Sequence, residues 1–258
     1  MQRAGASPSG KATDFDSVMR RFESSRPNQR RRRHGRLFLV LLALLLPAAA
    51  PLPGIGPTDG RRPVDPETPP WTALARLQVP GAARCTAVLI APRTALTAAH
   101  CLFSPHLHRF VPPDMVHVLT RYGREAFAAH AVAAGYRIAP AEDVAAVTLS
   151  APVGSAVLAL AALPAPGTPA MLGGYNQDRI EVIEADTACH IAAVTATLIR
   201  HDCAGTRGTS GAPLLVRGGD GAWAIAGIAT RAIIGGRGGI AVAAAALPAW
   251  LAQGGAMP

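Results

Sequence analysis

The 258-residue chain is 50% hydrophobic, 16% charged and 5% aromatic, with a formal net charge of +9. That length allows one or two domains with real cores, and the low charge fraction excludes wholesale disorder. The basic excess does not mark a nucleic-acid binder. Nine arginines and one lysine against three acids give residues 1–36 a charge of +7, and the other 222 residues carry only +2. No repeat of about 20–50 residues is present, which excludes a solenoid.

The chain opens on a basic tail that reads as an export signal. Arg30–Arg33, His34 and Arg36 precede the apolar run Leu37–Leu46, followed by Pro47 and Ala48–Ala50. Basic block, short apolar stretch and small residues form the pattern of a secretory signal peptide. As a helix, Leu37 to Ala50 would span about 21 Å, short of a hydrocarbon core of about 30 Å. Translation starting at Met19 would shorten the long basic region. Pro51 disfavours cleavage directly after Ala50, so an uncleaved anchor, its start held in the cytoplasm by the arginines, is the alternative. The expected location is therefore periplasmic or extracellular, with membrane contact only through residues 37–50.

Residues 51–70 contain seven prolines together with Gly54, Gly56 and Gly60. Such a stretch cannot hold a helix or a central strand and reads as a linker or pro-segment, placing the start of the folded domain, 71–258, near Trp71. From there the chain consists of short apolar stretches bounded by Gly, Pro, Asn or Asp. They include Ala73–Val79, Thr86–Ala91, Val116–Leu119, Val144–Leu149, Ala222–Thr230 and Gly239–Ala243. Lengths of four to nine residues suit strands, and many short strands with glycine-rich turns predict an all-β sandwich or barrel. Ala244–Leu251 is the best helix candidate, with Pro248 tolerated only in a first turn.

The four cysteines, Cys85, Cys101, Cys189 and Cys203, lie beyond an export signal, a setting that favours disulfides. Three pairings are possible. Sequential pairing would close two short loops, each worth on the order of 3 kcal/mol by chain entropy. A metal site would have to draw on His100, Cys101, His106 and His108, but no paired zinc-ligand spacing appears, so neither metal nor cofactor is expected.

Three strings carry chemistry: Thr97-Ala98-Ala99-His100-Cys101, Glu142-Asp143 ahead of Val144–Val147, and Gly208-Thr209-Ser210-Gly211-Ala212-Pro213. A serine hydroxyl is a poor nucleophile until an imidazole takes its proton, and the imidazole needs a carboxylate to fix its tautomer. A glycine two residues before the serine lets the backbone present two N–H groups to a developing oxyanion. Each string alone is commonplace; an Asp before a strand is usually a turn residue.

Together, in the order His, Asp, Ser, they resemble the trypsin-like serine proteases, over about residues 71–255. The compact bacterial branch that includes glutamyl endopeptidases fits best, through Pro70-Trp71, Gly173-Gly174-Tyr175-Asn176-Gln177-Asp178 and the pair Cys189 and Cys203. The resemblance implies two six-stranded antiparallel β-barrels with the active site between them. It also implies a Cys85–Cys101 disulfide pinning the histidine loop, and a matching Cys189–Cys203 pair. His100 would be the base, Asp143 its orienting partner and Ser210 the nucleophile, with Gly208 and Ser210 N–H groups as the oxyanion hole. The partner is then a protein or peptide substrate, and a monomer is expected because no heptad or long amphipathic stretch suggests assembly.

The pattern also departs from the family. Thr209 stands where digestive relatives carry an Asp that pairs with a new N-terminus. By position Ala204 and Thr230 fall in the specificity pocket, and Ala204 gives no support to cleavage after Lys or Arg. Ala229 stands where glutamyl endopeptidases carry a His, and Arg207 and Arg231 are candidates for the cleft rim. A protease-fold protein that binds without cutting is the alternative function.

Overall fold

The computed structural model describes residues 52–252 apart from 125 and 140, so the expected signal or anchor lies outside the described residues. Fifteen strands appear in this part of the chain. After β1 (Arg62–Pro63) come β2 (Leu74–Val79), β3 (Ala83–Ala91) and β4 (Thr94–Ala98). The small hairpin β5 (Phe103–Ser104) and β6 (Arg109–Phe110) precedes β7 (His117–Thr120), β8 (Ala129–Ala139) and β9 (Val144–Leu149). The second half adds β10 (Pro169–Gly174), β11 (Glu184–Val194), β12 (Leu198–His201), β13 (Pro213–Arg217), β14 (Trp223–Ala232) and β15 (Gly239–Ala243). All named pairings are antiparallel.

The order β2-β3-β4-β9-β8-β7 closes into one barrel. The order β11-β10-β13-β14-β15-β12 closes into a second through the β11–β12 pairing, with β1 added on the free side of β11. Two six-stranded barrels are thus the architecture, as the resemblance implied.

Period-two alternation explains why such alanine-rich segments form strands rather than helices. In β2, Ala75, Leu77 and Val79 point into the first barrel with Ala87 and Leu89 of β3 and Ala145, Val147 and Leu149 of β9. The intervening Leu74, Val88, Leu96 and Ala146 face the second barrel instead, packing with Trp71, Met171, Leu215, Ile225 and Val242. Both faces of these strands are largely buried, so they read as mostly apolar runs, with Arg76 and Gln78 of β2 as exceptions. Small side chains suit the narrow interior, and packing overrides the helix propensity of alanine. The interior of the second barrel is similar, with Leu172, Ile191, Ile199, Leu214 and Val216 among alanines.

Two expectations need correction. The closing helix does not span 244–251. Ala244–Ala246 form a 3₁₀ turn, Leu247 is extended (φ −68°, ψ 138°), and α1 covers Ala249–Ala252. A residue before proline is pushed out of the α region, so the helix can begin only beyond Pro248. Second, the folded body begins well before Trp71. Ile55 and Arg61 are buried, and the Gly54 carbonyl accepts from the N–H groups of Gly205 (3.4 Å) and Gly238 (2.9 Å).

Arg61 anchors this strap. It donates to Asp59 and, through two nitrogens at 2.9 and 2.7 Å, to Asp178. These bonds hold both carboxyls below their usual range, so the anchor is intact above that range and weakens only on strong acidification. Proline and glycine do not prevent docking. Beyond the two-residue pairing of β1 with β11, it is made by isolated backbone bonds and side-chain charge.

Candidate active site

β4 ends at Ala98 and the chain turns into a 3₁₀ helix, Ala99–Leu102, that presents His100. The Cys85–Cys101 disulfide ties this turn to β3. β9 lies beside β4 with Ala98 opposite Val144, which brings Asp143, the residue entering β9, next to the turn. Asp143 takes a left-handed conformation (φ 56°), open to Asp at modest cost.

Three bonds then join the two segments. The Ala99 N–H donates to the Asp143 carbonyl (3.0 Å), the His100 N–H to Asp143 Oδ1 (3.0 Å), and His100 Nδ1 lies 2.9 Å from Asp143 Oδ2. A carboxylate facing Nδ1 places the proton there and leaves Nε2 free to accept one. The side chains of His100 and Asp143 keep 46% and 28% of their exposure, so the pair opens onto the cleft.

The second barrel supplies the serine. Between β12 and β13 the chain makes a tight turn in which Thr209 N–H donates to Thr206 (3.1 Å) and Ala212 N–H to Thr209 (2.9 Å). Gly208 has φ +94°, and a Cβ there would stand 2.2 Å from the Tyr175 carbonyl, so only glycine fits. Among the described residues the N–H groups of Gly208 and Ser210 have no hydrogen-bond partner. Two adjacent unused donors beside a serine are what an oxyanion needs. Ser210 and His100 line one cavity of about 250 Å³ together with Cys101 and Gly208. Their side chains are not hydrogen-bonded to each other among the described residues; such contacts often tighten only around substrate.

A profile described as "Trypsin-like peptidase domain" matches residues 85–221, more than half of the chain. The chain belongs to the trypsin-like peptidase family. A Glu endopeptidase solved in complex with MPD has the same fold, at a TM-score of 0.65 and 18% identity, covering 74% of this chain and 94% of its own. A search of curated proteins found no match.

In this trypsin-like peptidase one residue that couples the barrels carries no signal in the sequence. Thr86, next to Cys85 on β3, donates its N–H to the Ser210 carbonyl (2.9 Å) and its hydroxyl to the Gly208 carbonyl (2.9 Å), and accepts from Tyr175 N–H (2.9 Å). Thr97 Oγ1 in turn donates to the Thr86 carbonyl (2.8 Å). A buried threonine in an apolar strand gives little signal, because its partners on the second barrel lie about ninety residues or more away. Within the second barrel, Asn176 Oδ1 accepts from Thr206 N–H at 3.1 Å. The Thr209 hydroxyl donates to the Thr206 carbonyl, a bond within the turn where digestive relatives place an ion pair.

A second cavity, of about 260 Å³, reaches away from Ser210, and Thr206, Thr230, Arg207 and Arg231 line it as well. Thr230, Arg207 and Arg231 all border this cavity. Ala204 does not: it is buried with its N–H on Asp186 Oδ2 (2.7 Å), and Gly205 lines the wall instead. Pro53 of the strap also lines this cavity. His106 and His108 are exposed on the β5–β6 hairpin, and Cys101 is committed to its disulfide, so the metal set of the sequence reading is not assembled. The second disulfide is Cys189–Cys203.

His201, at the end of β12, also lines the cavity and was not singled out in the sequence. Burial lowers its pKa from 6.5 to about 4, partly offset by Asp202 and Asp186. The unfolded chain therefore binds a proton that the folded chain refuses between pH 6.5 and about 4, and stability falls as pH drops through that window. The expected loss is on the order of 3 kcal/mol. Urea midpoints at pH 7 and pH 4.5 check it: the wild type should lose more than His201→Gln, and equal losses would contradict the assignment.

Proposed function

We propose that the protein is an exported serine endopeptidase, cutting protein or peptide substrates through His100, Asp143 and Ser210. The observation that carries this reading is the double grip of Asp143 on His100, backbone and ring, on the rim of a cleft shared with Ser210. His100 takes the Ser210 proton as the hydroxyl attacks the scissile carbonyl, and the imidazolium formed is stabilised by Asp143. The Gly208 and Ser210 N–H groups receive the oxyanion. His100 then returns its proton to the leaving amine, and water, deprotonated by the same ring, hydrolyses the acyl-enzyme. No step calls for a cofactor.

Export is supported by the pairing of all four cysteines and by the leader-like residues 1–50, which would serve as signal peptide or anchor. Among the described residues no helix is long and apolar enough to cross a membrane.

A fluorophosphonate probe tests the reading. Disulfide-intact protein should take one label on Ser210, located by peptide mass mapping, and Ser210→Ala should take none. Folded wild type that stays unlabelled would support a binding protein on the protease scaffold instead.

A further inference from the structure

Buried polar atoms in folded proteins nearly always have hydrogen-bond partners, so exceptions call for a reason. Among the described residues four side-chain atoms lack a well-formed one: Glu184 Oε2, His201 Nδ1, His201 Nε2 and Thr206 Oγ1, the His201 ring having only a weak interaction with the Cys203 backbone. Glu184 is accounted for, since its other oxygen accepts from Arg179 (2.7 Å) and Oε2 lies 3.8 Å from buried Arg61. The other three atoms belong to two residues on separate segments, the end of β12 and the serine loop. Both line the cavity that Ser210 also lines. Gly239 lines it too, and a Cβ there would stand 3.0 Å from His201 Nε2, so the missing side chain keeps the space beside that nitrogen clear.

We propose that this cavity selects a substrate side chain ending in an uncharged group that both donates and accepts hydrogen bonds, above all a carboxamide, and that His201 and Thr206 read it. The assignment rests on the endopeptidase reading, with the residue at the cut seated in this cavity. A neutral imidazole offers one donor and one acceptor, and the threonine hydroxyl offers both roles. A glutamine or asparagine side chain matches that set with its carbonyl and its NH₂. An apolar side chain would leave the three atoms buried and unpaired, a cost that gives strong discrimination in sites of this kind.

Charge decides against a carboxylate. The charged groups around the imidazole are Asp202 and Asp186, and Asp186 is already paired with Arg237 at 2.6 Å. Arg207 and Arg231 line the same cavity but are solvent-exposed. A substrate carboxylate at the base would therefore meet a ring held neutral by burial, with acids behind it and its own hydration lost.

The test uses full-length, disulfide-intact protein and two sets of peptides differing only in the residue at the cut: glutamine, glutamate or norleucine. Product-like peptides ending at that residue report binding without turnover, and internally quenched peptides report kcat/KM. At neutral pH glutamine should exceed norleucine and glutamate by at least about tenfold in both. Thr206→Val and His201→Leu should each shrink the glutamine-to-norleucine ratio to below about threefold, with fluorophosphonate labelling of Ser210 retained. Should His201→Leu fail to fold, Thr206→Val decides alone.

Norleucine bound or cut as well as glutamine, glutamate preferred over glutamine, or a ratio unmoved by either variant would overturn the proposal. Glutamine-selective binding by a protein that never labels would support the cavity assignment and overturn the endopeptidase reading. Labelling with the wrong side-chain order would do the reverse.

Discussion

Asp143→Asn is expected to lower kcat by about four orders of magnitude while leaving KM and thermal stability nearly unchanged. Asn is the same size as Asp and can still accept the His100 backbone N–H through its carbonyl oxygen, as Oδ1 does at 3.0 Å. The other arm then becomes an NH₂ facing Nδ1 at the position where Oδ2 sits 2.9 Å away. Two donors cannot face each other, so the ring moves its proton to Nε2, the nitrogen that must accept from Ser210. Steady-state kinetics on a peptide substrate, with the melting temperature measured alongside, checks this. A loss below about tenfold would mean that Asp143 does not set the tautomer, and the mechanism would fall.

Gly208→Ala is the second large effect. The alanine Cβ would lie 2.2 Å from the Tyr175 carbonyl and 2.9 Å from the Gln177 nitrogen, both backbone atoms, and φ +94° is hostile to any side chain. The turn must rotate, and with it the N–H groups of Gly208 and Ser210. Losing one oxyanion donor costs about 10²–10³ in kcat. Because the shift is confined to the turn, the barrels should survive, with circular dichroism close to wild type. Retained kcat in a folded Gly208→Ala protein would show that the oxyanion is stabilised elsewhere.

The all-β character was readable because turn chemistry and short apolar runs are local. Thr86–Ala91, Val144–Leu149 and Gly239–Ala243 all lie in strands, two of them with unchanged bounds. The helix expectation at 244–251 failed on a local rule as well, since the effect of Pro248 on Leu247 was allowed for only as a first-turn exception. The strap at 54–63 misled for a different reason. Its composition disfavours a helix or a central strand, but whether such a segment docks depends on partners far along the chain, such as the Asp178 carboxylate that accepts from Arg61 and the Gly205 N–H that donates to Gly54. Ala204 shows the same limit at the scale of one residue: whether it borders the cavity depends on the path of a loop, and here its N–H is held by Asp186.

What the chain carried by itself was the candidate chemistry: a histidine, a carboxylate and a serine in strings whose flanking alanines and glycines suit tight turns, with cysteines close by in sequence. Those features are covalent or lie within a few residues, so they are legible without coordinates. Only the closed barrels decided that Thr86 would hold the serine turn, that a proline- and glycine-rich strap would help wall the second cavity, and that His201 and Thr206 would line it. Such contacts join segments distant in the chain, and each depends on the register of strands and the path of loops, which no local pattern encodes.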